Sequence, residues 1–298
     1  MPGAPDGTAP TREVGRLVLR ALTEDRARLD RTTRAILPRA VPAEGAVRAQ
    51  ARGVVSGVAA AALAARALGL RVARVVPDGG SVRPGTLVLV LRGDARAILA
   101  AERTVLNLLM HASGVATLTA RAVRASRPSR PRLEVLATRK TLPGLRDLEK
   151  AAVVHGGGRP HRSDLSSALL VKNNHLALVG LERAVERARR RARPGEVVEV
   201  EVSSASEALR AVRAGARAIL IDNAPPARAR AIVRALAAAG LRTKVRVELS
   251  GGLTVETLPR YRSVGADQVS LGALTHSAPA LPFHLTVRPL AALRHRPA

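Results

Sequence analysis

Charged residues, serine and glycine follow six short apolar runs in the second half of the sequence, at the point where each run ends. These residues are Arg139 and Lys140, Lys172, Glu201, Asp222, Ser250 with Gly251 and Gly252, and Gly272. Cations and glycine turns suit a ligand rich in phosphate and carboxylate, because side-chain and backbone N–H groups both donate to oxyanions. The carboxylates could hold ribose hydroxyls or a divalent cation, or stabilise positive charge that develops on a sugar carbon.

A second group of cations points to a second anion. It contains Arg139, His161, Arg162 and Lys172. Together, the two groups predict transfer of a phosphorylated sugar to an acidic acceptor.

The elements that must position these residues alternate between strand and helix. Strand-like runs lie at 133–137, 168–171, 197–202, 218–221, 244–249 and 268–271, with helical patterns such as 206–214 and 226–239 between them. This alternation favours parallel strands joined by crossover helices, as in an α/β barrel. The loops that follow the strands of such a barrel form one face, here called the mouth, where active sites lie.

The first part of the sequence has a different pattern. Helical spacing begins at Val14, an Ala-rich helix is predicted over 44–68, and a long helix is predicted over 94–124. Two short strands are predicted at 71–76 and 86–91, between turn signals. The proline-rich segment 126–132 predicts the domain boundary.

Length and composition limit the classes of protein that need to be considered. A chain of 298 residues suits one large domain or two modest ones. No cysteine is present, which excludes disulfides, thiolate zinc sites and a cysteine nucleophile. The apolar stretch 54–65 is shorter than the roughly 18 residues that span a membrane, and no secretory signal is recognisable at the N-terminus. We therefore expect a cytoplasmic protein with no membrane partner.

The formal net charge of +26 has two interpretations. It could mark a surface that binds polyanions such as nucleic acid. It could also reflect a preference for arginine across the whole chain, since only four of the 49 basic residues are lysine. We favour the second, because the arginines are dispersed and Tyr261 and Phe283 are the only aromatic residues available for base stacking. We do not expect specific nucleic-acid binding.

Eight sequence strings, in order, identify a resemblance. They lie at 101–117, 138–153, 156–162, 169–175, 198–202, 219–223, 249–253 and 272–279. The first five read, in that order, AERTVLNLLMHASGVAT, TRKTLPGLRDLEKAAV, GGGRPHR, LLVKNNH and VEVEV. Over nearly its whole length the chain resembles the quinolinate phosphoribosyltransferase (nicotinate-nucleotide pyrophosphorylase, carboxylating) family.

The resemblance implies an α/β fold of two domains. An N-terminal α/β sandwich domain would comprise residues 1–125, completed by residues 277–298, and an incomplete α/β (TIM-like) barrel would comprise residues 126–276. It also implies a homodimer in which each active site borrows Arg103 from the neighbouring subunit.

The implied activity is transfer of phosphoribosyl from phosphoribosyl pyrophosphate to quinolinate, with decarboxylation. The products would be nicotinate mononucleotide, pyrophosphate and CO₂, a step in NAD biosynthesis. The resemblance implies that Lys140, Glu201 and Asp222 are catalytic, and that Glu201 and Asp222 hold Mg²⁺. Its implied substrate-binding residues are Arg103, Arg139, His161, Arg162, Lys172, Ser250, Gly251, Gly252, Gly272 and His276.

Several positions depart from the family pattern. Ala137, Ser167 and Asn173 stand where relatives usually carry acids, and both glycines of an early E-D-x-G-x-G-D-x-T pattern at 24–32 are lost. Missing acids would make the mouth more positive, which leaves two alternatives open. One is a related transferase that acts on another aromatic acid, including the molybdenum-transport-associated branch; the other is a catalytically silent, basic paralogue that binds nucleic acid.

Overall fold

The computed structural model describes residues 11–129 and 132–290, which form two compact units. The first unit contains the described residues as far as Ala120, then Leu142–Gly157 and the residues from Ala278 onward. The second contains Arg121–Thr141 and Gly158–Ser277. The domain limits expected from the sequence stay a prediction, and the segment Leu142–Gly157 groups with the first unit. His295 and parts of the expected boundary segment and C-terminal tail lie outside the described residues.

The elements are numbered in chain order. The strands are β1 (Pro42–Ala49), β2 (Gly53–Val54), β3 (Arg71–Arg74), β4 (Ser81–Val82), β5 (Leu87–Asp94), β6 (Glu134–Leu136), β7 (Leu169–Val171), β8 (Val198–Val202), β9 (Ala218–Asp222), β10 (Arg246–Ser250), β11 (Gln268–Ser270) and β12 (Phe283–Pro289). The helices are α1 (Arg12–Glu24), α2 (Arg31–Ile36), α3 (Val58–Ala67), α4 (Ala95–Ser126), α5 (Arg146–His155), α6 (Asn173–Val179), α7 (Leu181–Arg191), α8 (Ala205–Arg213), α9 (Pro226–Ala238) and α10 (Ala273–His276).

The first unit is built on a four-stranded antiparallel sheet in the order β12-β1-β5-β3. Side chains of β1 alternate between buried and partly exposed positions, as expected for a strand with one face against a core. The core between this sheet and its helices is aliphatic and includes Val47, Leu89, Leu91 and Ile98, all fully buried.

The prediction of one helix over 44–68 is wrong for its first half. Residues Pro42–Ala49 form β1, paired on both sides with β5 and β12, and only Val58–Ala67 is helical. Alanine favours helices, but pairing with two strands outweighs that preference. Gly57, at φ +84°, precedes α3, and a Cβ there would lie 2.9 Å from the carbonyl oxygen of Leu108.

The long helix predicted over 94–124 is confirmed as α4. Asp94, the last residue of β5, starts it: its Oδ1 accepts hydrogen bonds from the backbone N–H groups of Arg96 and Val41, at 3.1 and 3.3 Å. Such a side-chain cap satisfies a backbone donor that the first helical turn leaves free.

The second unit is built on a six-stranded sheet in the order β6-β11-β10-β9-β8-β7, and every neighbouring pair is parallel. Helices α7, α8 and α9 alternate with β7 to β10 along the chain, as the sequence pattern predicts. Strands β6 and β7 are the two ends of the described sheet order, so the architecture is the expected incomplete α/β barrel.

The chain builds these cores with almost no aromatic side chains. Phe283 is buried in the first unit, and Tyr261 donates a hydrogen bond to the carbonyl oxygen of Ala224 at 3.1 Å in the second. Ile219, Ile221 and Leu249 fill the centre of the parallel sheet. Within the described ranges, no helix combines the length and apolarity required to cross a bilayer.

Candidate active site

The parallel sheet collects the predicted site residues at one edge, because the carboxyl ends of parallel strands lie together. Each of the six strands β6 to β11 contributes to or leads into this mouth. The predicted residues that belong to the second unit are Arg139, Lys140, His161, Arg162, Lys172, Glu201, Asp222, Ser250, Gly251, Gly252, Gly272 and His276. Arg103 belongs to the first unit.

Two guanidinium groups share one part of the mouth. Burial, followed by the positive charge of Arg139, lowers the pKa of Arg162. The Nη1 atom of Arg162 donates to the carbonyl oxygen of Ala168 at 3.2 Å. The Nε atom of Arg139 is buried and has no hydrogen-bond partner among the described residues. Like charges held together with an unused buried donor form a site that an anion would stabilise.

His161 precedes Arg162 in the chain and lies beside two carboxylates. Its Nε2 atom is 3.5 Å from Oε2 of Glu248 and 3.8 Å from Oε2 of Glu199. Burial, and then the negative charge of Glu248, raise the pKa of Glu199 to about 7. His161, Glu199 and Glu248 also have the composition of a metal-ligating group, with ligand atoms within 4.8 Å of one another.

Lys172 and Glu201 form an ion pair at the ends of the neighbouring strands β7 and β8. The Nζ atom of Lys172 is 3.2 Å from Oε2 of Glu201. The carboxylate is nearly buried and the lysine is half exposed. The pair therefore places one cation and one anion side by side at the mouth.

The residues that follow β9 and β10 pack closely against each other. Asp222 is in register with Ser250, and the Nδ2 atom of Asn223 donates to Oδ2 of Asp222 at 2.8 Å. Gly251 has φ +91°, and a Cβ there would lie 2.4 Å from Oδ1 of Asn223. Only glycine fits this close approach without displacing Asn223. The Ser250 hydroxyl is held by the Ser270 hydroxyl at 2.9 Å.

A third cluster brings Lys140, Gly272 and His276 together. A Cβ on Gly272 would lie 3.0 Å from both the Lys140 Cδ atom and the His276 Nε2 atom. The buried hydroxyl of Thr275 donates to the carbonyl oxygen of Lys140 at 2.7 Å. Thr275 thereby ties the loop after β6 to α10.

Arg103 lines a groove of the first unit with a volume of about 370 Å³. Asn107 and His111 follow Arg103 at four-residue intervals on α4, so all three lie along one helical face. Glu24 and Asp25, from the early acidic pattern, line the same groove. Arg103 is thus presented beside acidic side chains on the surface of its own unit.

The three positions that depart from the family pattern have different environments. Ala137 is fully buried, and its N–H donates to the carbonyl oxygen of Arg159 at 2.9 Å. Ser167 and Asn173 are exposed. The Ser167 hydroxyl accepts hydrogen bonds from the N–H groups of Ser163 and Asp164, so this serine closes a turn in the loop before β7.

Three of the remaining described histidines have local partners. His175 Nδ1 accepts from the Lys172 N–H at 2.9 Å and caps α6. His111 Nε2 is 2.9 Å from Oε1 of the buried Glu149, and His155 Nδ1 is 2.8 Å from the Ser56 hydroxyl. His284, on β12, keeps Nδ1 buried without a hydrogen-bond partner. The contacts of His111, His155 and His175 are with groups of the protein itself.

Sequence reasoning missed Glu248 and Asn223. Glu248 lies in a strand whose alternating pattern is equally typical of a solvent-facing acid, yet it is only 2% exposed. Asn223 takes φ +49°, a conformation that asparagine tolerates better than most residues, and it follows the strand that ends in Asp222. The signal for Asn223 was present, because it stands beside the predicted Asp222.

Comparison with known proteins agrees with this architecture. Residues 30–113 match the N-terminal domain of quinolinate phosphoribosyl transferase, and residues 115–286 match its C-terminal domain. A probable nicotinate-nucleotide pyrophosphorylase [carboxylating] from Methanothermobacter thermautotrophicus is 40% identical over 262 residues, which cover 88% of this chain and 94% of the relative. The nicotinate-nucleotide pyrophosphorylase [carboxylating] of Homo sapiens is 38% identical over 84% of each chain.

A solved structure supports the same similarity. The nicotinate-nucleotide pyrophosphorylase from Francisella tularensis superposes with a TM-score of 0.87 at 30% identity, covering 96% of this chain and all of the other. The resemblance inferred from the eight sequence strings is confirmed.

Proposed function

The chain belongs to the quinolinate phosphoribosyltransferase family, and we propose that its mouth binds quinolinate beside phosphoribosyl pyrophosphate. The chain is a carboxylating phosphoribosyltransferase of NAD biosynthesis. It transfers the phosphoribosyl group to quinolinate and releases pyrophosphate and CO₂, leaving nicotinate mononucleotide.

The main observation in favour of an acceptor site is that the guanidinium groups of Arg139 and Arg162 lie near each other. Quinolinate has two adjacent carboxylates, and planar guanidinium groups match carboxylates through paired hydrogen bonds. Burial, and then repulsion from Arg139, lower the pKa of Arg162; a bound dianion would offset both effects and would give the buried Nε of Arg139 an acceptor. Lys172 supplies a third cation at the same mouth.

The second substrate, phosphoribosyl pyrophosphate, fits the other predicted site residues of the mouth. Gly251, Gly252 and Gly272 have no side chain of their own, so their backbone N–H groups can approach phosphate oxygens closely. Lys140 and His276 converge on Gly272 and would bind the pyrophosphate. Glu201 and Asp222 would hold the ribose and stabilise positive charge on its reacting carbon.

The reaction needs no nucleophilic side chain. The ring nitrogen of quinolinate forms a bond to the ribosyl carbon while the bond from that carbon to the pyrophosphate oxygen breaks. The nitrogen then carries a positive charge, which stabilises the electron pair left on the neighbouring ring carbon when its carboxylate departs as CO₂, and a proton then adds to that carbon. Cations of the mouth help both stages, because they pair the dianion and the departing pyrophosphate.

Glu201 and Asp222 fit Mg²⁺ as a donor set. They stand at the ends of the neighbouring strands β8 and β9 and offer only carboxylate oxygens, and Mg²⁺ usually binds one or two carboxylates together with substrate phosphates. When bound, Mg²⁺ would neutralise charge on the pyrophosphate. Glu201→Gln and Asp222→Asn should each raise the Mg²⁺ concentration required for half-maximal turnover.

A homodimer is the proposed assembly, with Arg103 of each subunit entering the partner's mouth. Large apolar side chains support it: Leu165 and Leu178, which flank Lys172 in the chain, are 72% and 82% exposed. Leu178→Glu should convert the dimer to monomers in sedimentation velocity; an unchanged sedimentation coefficient would remove Leu178 from the interface.

One assay tests the proposed function. Quinolinate labelled in the carboxylate beside the nitrogen is mixed with phosphoribosyl pyrophosphate and Mg²⁺, and pyrophosphate and labelled CO₂ are both measured. Equal yields of the two products are expected. Absence of both products, with pyrophosphate released only when another aromatic acid is supplied, would reject quinolinate as the acceptor. The cytoplasmic location stays a prediction, which fractionation can test.

A further inference from the structure

Two acidic residues within the parallel sheet, Glu199 on β8 and Glu248 on β10, direct their carboxylates toward the same histidine. The Oε2 atoms of Glu248 and Glu199 lie 3.5 and 3.8 Å from Nε2 of His161. Glu248 is 2% exposed, and the side chain of Glu199 is 14% exposed. Neither glutamate has a place in the substrate sites described above.

The backbone fixes the orientation of the His161 ring. His161 has φ +52°, an uncommon conformation for a residue with a side chain, and its Nδ1 atom accepts a hydrogen bond from the N–H of Arg162 at 2.6 Å. A nitrogen that accepts carries no proton, so the pattern of hydrogen bonds assigns the ring proton to Nε2. The Nε2–H group therefore faces the two carboxylates.

The carboxylates in turn need that donor. Oε1 of Glu248 is buried and has no hydrogen-bond partner among the described residues. A buried carboxylate without donors is costly, and the His161 Nε2–H group is directed at the other oxygen of Glu248.

We propose that Glu248, assisted by Glu199, is a positioning residue for the acceptor: it holds the His161 ring inward, and the ring holds the backbone of Arg162 so that its guanidinium stays beside Arg139. This inference rests on the proposed function, because Arg139 and Arg162 are assigned there to quinolinate. The chain of contacts runs from Glu248 to Nε2, from Nδ1 to the Arg162 N–H, and from Arg162 to the mouth. Groups that orient metal ligands commonly change affinity about tenfold or more when they are removed, and we expect an effect of similar size here.

The same three side chains could instead hold a divalent cation. The hydrogen bond to Nδ1 opposes this alternative. A neutral imidazole that accepts at Nδ1 has its proton on Nε2, which leaves no lone pair there for a metal. Metal binding would require breaking the bond between the Arg162 N–H and the ring.

The test compares Glu248→Ala, Glu248→Gln and Glu199→Gln with Glu134→Gln. Glu134 is the matched control, because this acid of the same sheet faces Arg159 and Gln268 instead of His161. Glu248→Ala should raise the KM for quinolinate about tenfold, with the KM for phosphoribosyl pyrophosphate changed less than twofold. Glu248→Gln should recover part of the loss, since an amide oxygen in the place of Oε2 would still face the Nε2–H group. Glu134→Gln should leave both constants unchanged.

A second measurement needs no substrate. In ¹⁵N-histidine NMR spectra, the His161 signal, assigned with His161→Asn, should show the Nε2-protonated tautomer in the wild type and a change of tautomer or mobility in Glu248→Ala. An unchanged His161 signal, or equal rises in both KM values, overturns the positioning role. So does a stoichiometric Zn²⁺ or Mn²⁺ ion found by elemental analysis and lost in Glu248→Gln. Wild-type protein that makes no product from quinolinate rejects the proposed function instead, and the NMR result still decides the positioning role.

Discussion

The Nζ atom of Lys172 lies 3.2 Å from Oε2 of Glu201, and the exposed fractions of the two side chains are 48% and 10%. The lysine therefore forms an ion pair with a nearly buried carboxylate, while about half of its own side-chain surface is exposed to solvent at the mouth. Removing the lysine would leave the carboxylate without its cation, which costs more than the loss of a surface ion pair.

We expect Lys172→Met to lower the free energy of unfolding by about 1 to 2 kcal/mol, less than for a fully buried pair because the lysine is half solvated. Adding Glu201→Gln to the same chain should restore part of that loss, because the unpaired charge is then removed, yet activity should not return. Urea denaturation of the single and double variants measures the coupling. Lys244→Met, at an exposed position, is the control. A double variant no more stable than Lys172→Met contradicts the energetic pairing.

Arg139→Ala and Arg162→Ala should each reduce kcat/KM for quinolinate by at least about a hundredfold. Removing one cation from a buried ion-paired cluster costs about 3 to 5 kcal/mol in a closed site, and each 1.4 kcal/mol is about tenfold in rate. Arg159→Ala removes an exposed guanidinium paired with Glu134 and should have little effect. Steady-state kinetics with both substrates decide the matter: quinolinate kinetics unchanged from the wild type exclude that arginine from the acceptor site.

The parallel sheet could be predicted from the sequence because its signals are local. Its strands are short buried apolar runs separated by helices with one apolar face, and all six predicted runs, including 218–221 and 268–271, are confirmed to within about two residues. Once the strands are predicted to be parallel, it follows that the charged residues and glycines after their ends lie at one edge of the sheet.

The features that could not be predicted from the sequence depend on contacts between segments that are distant in the chain. Strand β1 is rich in alanine and becomes a strand through β12, which is more than two hundred residues away. Likewise, nothing local distinguishes Glu248 from a solvent-facing acid; it is buried on a strand of the sheet interior and contacts His161, which is more than eighty residues away.

Gly251→Ala should impair binding of phosphoribosyl pyrophosphate. A Cβ at this position would lie 2.4 Å from Oδ1 and 2.6 Å from the backbone nitrogen of Asn223, so the turn that aligns Asp222 must shift. We expect the KM for phosphoribosyl pyrophosphate to rise about tenfold or more, by analogy with small misplacements in other sites. Gly240→Ala has a similar positive φ with nothing within 4 Å, and controls for backbone strain alone. Equal effects of the two substitutions would show that the contact with Asn223 is unimportant.

Asp94 should make stability depend on pH in the acid range. Burial would raise its pKa, but hydrogen bonds from the side chain and backbone of Arg96, and from the backbone of Val41, outweigh it and lower the pKa below 3.8. A lowered folded-state pKa means that the stabilisation is present above the unfolded value of 3.8 and is lost as pH falls through the folded value.

Asp94→Asn should therefore be less stable than the wild type by about 0.3 to 1 kcal/mol at neutral pH, because asparagine caps a helix as well as aspartate does and only the negative charge is lost. The difference should shrink as pH falls below about 3.8. Thermal unfolding followed at several pH values measures it, with Glu102→Gln in the interior of α4 as the control. A difference that is constant across this range would mean that the charge of Asp94 contributes nothing.

Arg103 provides the test of a shared active site, because it belongs to the first unit whereas Lys172 belongs to the second. Arg103→Ala and Lys172→Ala should each be nearly inactive alone if both cations serve every mouth. When the two variants exchange subunits at equal amounts, half of the dimers are mixed, and one mouth of each mixed dimer receives both cations. About a quarter of wild-type activity should then return, by the symmetry of a twofold pair. Sedimentation must first show a dimer whose subunits exchange. Given exchange, a mixture as inactive as its components would mean that Arg103 acts within its own subunit or takes no part in the reaction.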